Sequence, residues 1–268
     1  MPLLVFQLRA VIRRVGLALV CVSLLAAGLV FRPFAPAAAQ VAGLECWFVA
    51  DNGSPHTSND LLTYYIDGVG ESFIDGGASP NDGTGTTLIE AMAGDPTTGI
   101  MYATNSGTFG TIDTVTGEFS AIGPTGYGDV DGLALDPFSR EMYGVARLGG
   151  ADRLFKIDVA TGALIPGGID GLDSVPINSD VVVGLSDNDD IGISPIDGQM
   201  YAVANNGGPD RLILVDKDTG NVTDVGQITG ATDIEGFSFD PFGNLLGSSG
   251  SQDNLYQMNL NTGAATFL

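Results

Sequence analysis

The chain has 268 residues, with 10 Lys and Arg against 32 Asp and Glu, a formal charge of −22. That balance excludes nucleic-acid binding through clustered cations, and an apolar content of 44% excludes a disordered polyelectrolyte. The 39 Gly and 13 Pro exclude a helical bundle, because they cost about 1 and 3 kcal/mol at each interior helical site.

The first 39 residues read as a leader. Arg9, Arg13 and Arg14 precede the apolar run Val15–Phe31, and Arg32, Pro33, Pro36 and Ala37-Ala38-Ala39 follow it. A basic region, an apolar region and a small-residue site predict cleavage between Ala39 and Gln40 by the general secretory route. The rival reading is an uncleaved anchor, because 17 apolar residues approach the minimum span of a bilayer. The predicted organisation is therefore a signal peptide at 1–39 and one domain at 40–268. The mature protein would be secreted, extracellular or periplasmic, with no membrane span after cleavage. Its acids are 26 Asp and only 6 Glu, a bias toward turns and caps over helices. Cys46 is the sole mature cysteine, so no intrachain disulfide is available.

From the front of the mature chain, Leu44–Ala50, Leu61–Ile66 and Glu71–Ile74 read as three strands. Complete units follow at about 86–124, 129–168, 187–229 and 231–268. Each carries an apolar strand ending in Asp95-Pro96, Asp136-Pro137, Ser194-Pro195 or Asp240-Pro241, followed by Met101-Tyr102, Met142-Tyr143, Met200-Tyr201 or Leu245-Leu246. A second element then repeats: Asp113-x-x-Thr116-Gly117, Asp158-x-x-Thr161-Gly162, Asp216-x-x-Thr219-Gly220 and Asn259-x-x-Thr262-Gly263. The four glycines stand 45, 58 and 43 residues apart. In the second unit the strands read Val130–Leu135, Met142–Val145, Leu154–Ile157 and Ala163–Ile165. Four short strands per period of about 43 residues, punctuated by Asp, Gly and Pro, predict propeller blades.

The unit strand–Asp-Pro–turn–Met-Tyr…Leu-x-x-Ile-Asp-x-x-Thr-Gly resembles the repeat of secreted bacterial propellers of the YVTN/NHL-like, quinoprotein amine dehydrogenase β-chain-like superfamily, over residues 44–268. The predicted fold is all-β: a β-propeller of four-stranded blades, about five blades with an incomplete first blade. The insertion around Asp180–Leu185 is one candidate for closing the ring, and a longer parent propeller is the other.

Five residues before each Asp-Pro or Ser-Pro stands an acid: Glu90, Asp131, Asp189 and Glu235. In a propeller these four begin the inner strands and converge at one mouth of the channel. Crowded carboxylates raise one another's pKa or call for a cation, and an all-oxygen set suits Ca²⁺ or Mg²⁺. Two positions also resemble the regucalcin/gluconolactonase family. Glu235-Gly236-Phe237-Ser238-Phe239-Asp240-Pro241 is similar to that family's opening, whose Glu binds a divalent metal. Asp131-Gly132-Leu133-Ala134-Leu135-Asp136 is similar to its later element, whose Asp is a ligand and base. That resemblance implies a metal polarising a lactone carbonyl while Asp131 activates water. Glu90 and Asp189 depart from the family, which tends to use Asn there. The alternatives are acids that accept backbone N–H bonds from neighbouring loops, or a structural cation without catalysis.

Elsewhere, Asp187-Asn188-Asp189-Asp190 and Asp216-Lys217-Asp218 are calcium-loop-like but lack EF-hand spacing. His56, the only histidine, sits in a polar loop. No nucleophile elbow, zinc-protease helix or phosphate loop is present. The function expected is a secreted, non-catalytic propeller acting as a binding or surface-interaction module for a protein or carbohydrate ligand, with Ca²⁺ as the candidate cation for Glu90, Asp131, Asp189 and Glu235 in its central channel. The alternative is a metal-dependent lactonase-like hydrolase using Asp131.

Overall fold

The computed structural model describes residues 5–10, 44–50, 60–66, 71–78, 89–148, 152–177, 188–205, 209–252 and 254–268. The apolar run and cleavage point of the predicted leader, the loop with His56 and the segment Asp180–Leu185 lie outside the described residues.

The strands run β1 (Val5–Ala10), β2 (Leu44–Ala50), β3 (Asp60–Ile66) and β4 (Glu71–Ala78), then β5 (Ile89–Gly94), β6 (Met101–Asn105), β7 (Thr108–Ile112) and β8 (Phe119–Pro124). Next come β9 (Val130–Leu135), β10 (Met142–Ala146), β11 (Arg153–Ile157) and β12 (Ser174–Pro176). The chain continues through β13 (Asn188–Ile193), β14 (Met200–Ala204), β15 (Arg211–Val215) and β16 (Val222–Gln227). It ends with β17 (Ile234–Phe239), β18 (Leu245–Ser249), β19 (Asn254–Met258) and β20 (Ala265–Phe267). Each run of four forms one antiparallel sheet in which consecutive strands pair. The first strands of the sheets meet in the middle: β9 lies against β5 and β13, β13 against β17, and β1 against β5 and β17. This is the radial arrangement of propeller blades.

The count of about five blades with an incomplete first one needs correction. The repeat builds four complete blades, β5–β8, β9–β12, β13–β16 and β17–β20. The three strands at the front are not left without an inner neighbour, because β1 pairs along β2 from Val5–Val49 to Ala10–Leu44. An open edge there would leave a row of N–H and C=O groups without partners, and an extended segment satisfies them. That strand lies within the segment read as the leader. The outer strand of the β9 blade also differs. Residues Ala163–Ile165 make only the bridge Ile157–Leu164, and Ser174–Pro176 pairs with β11 instead. Pro166-Gly167-Gly168 breaks the strand, with Gly167 at φ +66°.

The turns explain the excess of Asp. At the first turn of three blades the carboxylate takes the N–H two residues on: Thr97 to Asp95, Phe138 to Asp136 and Phe242 to Asp240, each 2.8 Å. Asp113, Asp158 and Asp216 do the same at the third turn, from Val115, Ala160 and Asp218. Cations cross between blades to the first set, Arg140 to Asp95 and Lys217 to Asp136. Apolar side chains fill the space between sheets, as where Tyr143 and Val145 meet Ile191 and Ile193. Tyr201 meets Phe239 at 5.6 Å between ring centres.

The glycines of three third turns, Gly162, Gly220 and Gly263, press on the backbone of the preceding blade. A Cβ on Gly220 would lie 2.3 Å from the Pro176 carbonyl of the preceding blade, and one on Gly162 would lie 2.6 Å from the Gly123 carbonyl. Positive φ and close approach therefore act together at Gly220, whereas Gly171 has positive φ and open space. Gly220→Ala is expected to lower stability by more than about 2 kcal/mol and Gly171→Ala by roughly 1 kcal/mol. Urea midpoints at constant slope measure both, and equal losses would sink the contact as the reason for Gly220.

Candidate functional site

The four acids occupy one structural position. In β5, Ile89 faces Asn105 and Ala91 faces Thr104, which leaves Glu90 as an extra residue. Asp131, Asp189 and Glu235 are extra in the same way in β9, β13 and β17. Each is thus a β-bulge at the start of an inner strand, a device that bends the strand and re-aims the side chain. The residue before the bulge is buried in all four blades: Ile89, Val130, Asn188 and Ile234.

The charge at this mouth is managed by the chain itself. Arg147 follows the last residue of β10, next to the Ala146–Val130 pair. Its Nε lies 3.2 Å from Asp131 Oδ2 and its Nη2 3.5 Å from Asp189 Oδ1. One guanidinium therefore bridges two blades. Glu90 accepts the Val130 N–H, and burial, followed by the charges of Asp129 and Asp131, pushes it up to about 7. Glu235 lies over the backbone of its own blade, where a Cβ on Gly250 would meet its Oε2 at 2.4 Å. Among the described residues, no three His, Cys, Asp or Glu side chains are arranged to hold a metal ion. The structure therefore links Asp131 and Asp189 through Arg147, sets Glu90 within the field of Asp131, and holds Glu235 against Gly250.

Two residues of the calcium-like run, Asp190 and Asn188, take places in the fold that their sequence context does not reveal. Asp190 is fully buried and accepts N–H groups from Ile191 at 2.8 Å and from Phe237 of the next blade at 3.0 Å. Burial pushes its pKa well above the usual carboxylate range. A Cβ on Gly132 would sit 3.3 Å from its Oδ1, so the glycine makes room for it. Asn188 stands where the other blades use Ile or Val, and neither of its amide atoms finds a hydrogen-bond partner. The calcium-like run at Asn188–Asp190 is thus the start of an inner strand. Asp216-Lys217-Asp218 is a turn, with Lys217 drawn to Asp136. Register held the one usable signal for Arg147: it is the residue just past a second strand whose partner begins with an acid.

No protein-family model matches the chain, and no curated protein sequence does. Solved structures do resemble it. A chain of the nidogen/laminin complex is 11% identical at a TM-score of 0.50, with 81% of this chain and 72% of that one covered. The fold is a β-propeller. A gluconolactonase from Xanthomonas campestris is 13% identical at a TM-score of 0.48, covering 83% of this propeller and 71% of that chain. TolB from Acinetobacter baumannii is 15% identical at 0.47; the alignment takes in 86% of this chain but only half, 50%, of TolB. At these identities the likeness concerns fold alone. No helix among the described residues is long and apolar enough to cross a membrane.

Two consequences can be measured. Glu90 has a higher pKa folded than unfolded, so stability is full below about 4.5 and falls as pH rises through about 7. With chelator present, Glu90→Gln is expected to gain on the parent across that window, by about 1–2 kcal/mol at pH 8 after allowing for solvent at a half-buried site. A pH-independent difference between the two would contradict the assignment. Asn188→Val removes two buried polar atoms that lack partners and should stabilise the fold by about 1–2 kcal/mol. Calorimetric unfolding tests this, and a loss of stability would mean that Asn188 is satisfied in solution.

Proposed function

We propose that the protein is a secreted, non-catalytic β-propeller that works as a binding or surface-interaction module, its mature chain beginning at Gln40. The observation that carries this reading is Arg147 between Asp131 and Asp189. A hydrolytic water needs a base with a free lone pair and, in the lactonase chemistry, a Lewis acid beside it. Here a guanidinium engages the carboxylate that would act as base, and it supplies the positive charge that two of the crowded acids call for. The remaining carboxylates are consistent with a structural role, since Glu90 accepts a backbone N–H from the next blade. The resemblance of the Glu235-Gly236 and Asp131-Gly132 elements to the regucalcin/gluconolactonase family is what supports the hydrolase alternative, with Asp131 as base.

The two readings separate in one set of measurements. Lactones offered with Ca²⁺, Mg²⁺, Mn²⁺ or Zn²⁺ should not be turned over, and the melting temperature should be the same in Ca²⁺ and in chelator. Arg147→Ala should acquire a Ca²⁺-dependent rise in melting temperature, because it uncovers Asp131 and Asp189. Turnover by the parent protein that is lost in Asp131→Asn would overturn the module reading.

A further inference from the structure

The inner strands are polar at one end and apolar at the other. At the end opposite Arg147, their last residues and the Asp-Pro turns enclose an axial cavity of about 180 Å³. Pro96, Pro137, Pro195 and Pro241 line it once per blade, with Leu135 and Phe239 on its wall. Proline brings no N–H, and the polar groups of these turns are already engaged. Asp136 accepts from Phe138, Ser139 and Lys217. Asp240 accepts from Phe242 and from Asn244 backbone and side chain. Ser194 Oγ accepts the Ile196 N–H. The turn carboxylates and Ser194 are thus engaged, and apart from Ser238 and Asp240 the lining side chains are apolar or glycine, so the cavity suits an apolar group. By size it admits one aromatic ring or branched aliphatic side chain.

The residue after each of three prolines extends that surface outward. Phe138, Ile196 and Phe242 are 62%, 64% and 66% exposed. Isolated apolar residues on a surface are ordinary, but three at one register around one mouth form a collar. Two of them lean on the next turn: a Cβ on Gly198 would meet the Phe138 ring at 3.2 Å, and one on Gly243 would meet Ile196 Cγ1 at 2.5 Å. Because strands alternate in direction, the Asp-x-x-Thr-Gly turns open on this same face, farther from the axis. Asp113 and Asp216 are exposed there, and N–H groups of Thr116 and Val115 hold Asp113 below the usual carboxylate range. Both turn-face cations that reach inward, Arg140 and Lys217, are taken by Asp95 and Asp136. The face therefore has an apolar centre and an anionic rim, which is the anatomy of a protein-binding surface.

The geometry points to a docking site on this face for a basic protein partner that inserts one large apolar side chain into the axial cavity. The inference deepens the reading of the protein as a binding module and rests on it. A second copy of the chain is disfavoured, because it would bring two rings of Asp together. A free small molecule would fill the cavity but make no use of the collar or the rim.

The test uses the mature protein and two synthetic peptides, Lys-Lys-Gly-Trp-Gly-Lys-Lys and the same peptide with Ala for Trp, followed by fluorescence anisotropy of a labelled terminus. The Trp peptide is expected to bind at least tenfold tighter than the Ala peptide and to weaken in high salt. The double variant Phe138→Ser/Phe242→Ser should lose that preference while keeping the parent's melting temperature. Leu135→Trp, which fills the cavity, should lose it with the collar intact. Equal binding of the two peptides, no binding, or saturable self-association in sedimentation would each overturn the inference. So would binding of free indole as tight as that of the Trp peptide. Lactone turnover by the same preparation would instead remove the module reading, so the two failures are distinguishable.

Discussion

Each of the four repeat blades hangs on a short polar side chain that accepts backbone N–H groups of its own turn. With Asp95, Asp136 or Asp240 in that place, the first hairpin closes at a set residue, and the inner strand ends in the same register each time. Ser194 serves less tightly, at 3.3 Å. The fixed end dictates the rest of the inner strand. Five residues back from it falls the bulge, and the bulge places an acid at the opposite mouth. A carboxylate that satisfies turn donors is ionised and partly enclosed, so cations are drawn in from neighbouring blades, as Arg140 and Lys217 are. Part of the chain's negative charge is therefore local architecture repeated, and the propeller tolerates it because these turn carboxylates face N–H groups.

The two mouths resolve the same repeat in opposite ways. At one, the inner strands begin with acids and the chain answers with Arg147, while Glu90 is relieved by holding a proton near neutral pH. At the other, the strands end in prolines that expose no donor, and apolar residues surround an axial cavity. The axis thus runs from a charged end, bridged in part by Arg147, to an end with an apolar centre. The second offers an apolar cavity rather than carboxylates, which is why chemistry at the first mouth and recognition at the second are separable questions.

Strand positions, turn chemistry and the shared register of Glu90, Asp131, Asp189 and Glu235 were legible in the sequence because each follows from a local rule: alternation, Asp before Pro, Gly at positive φ. What escaped depends on non-local geometry. Arg147 looks like any loop cation until β10 is paired with β9. Asp190 looks like one acid in an acidic run until its neighbours prove to be Gly132 and the Phe237 N–H. Ala163–Ile165 sits at the regular spacing for a fourth strand and Pro166-Gly167-Gly168 looks like the end of a unit, so the pairing of Ser174–Pro176 with β11 shows only in three dimensions. The collar of Phe138, Ile196 and Phe242 needed all four turns to be brought to one face before it could be seen as continuous.

The strand β1 carries a consequence for timing. Residues Val5–Ala10 complete the sheet at Leu44–Ala50, yet they precede the apolar run that would carry the chain through a translocation pore. One segment cannot be threaded and paired at once, so closure by β1 and release at Gln40 are successive or exclusive events. A chain released at Gln40 presents the β2 edge between β5 and β17 as a vacancy shaped for one extended segment. On the proposed cleavage at Gln40, ring closure would be coupled to export: whether the first blade is whole would depend on whether that peptide bond had been cut.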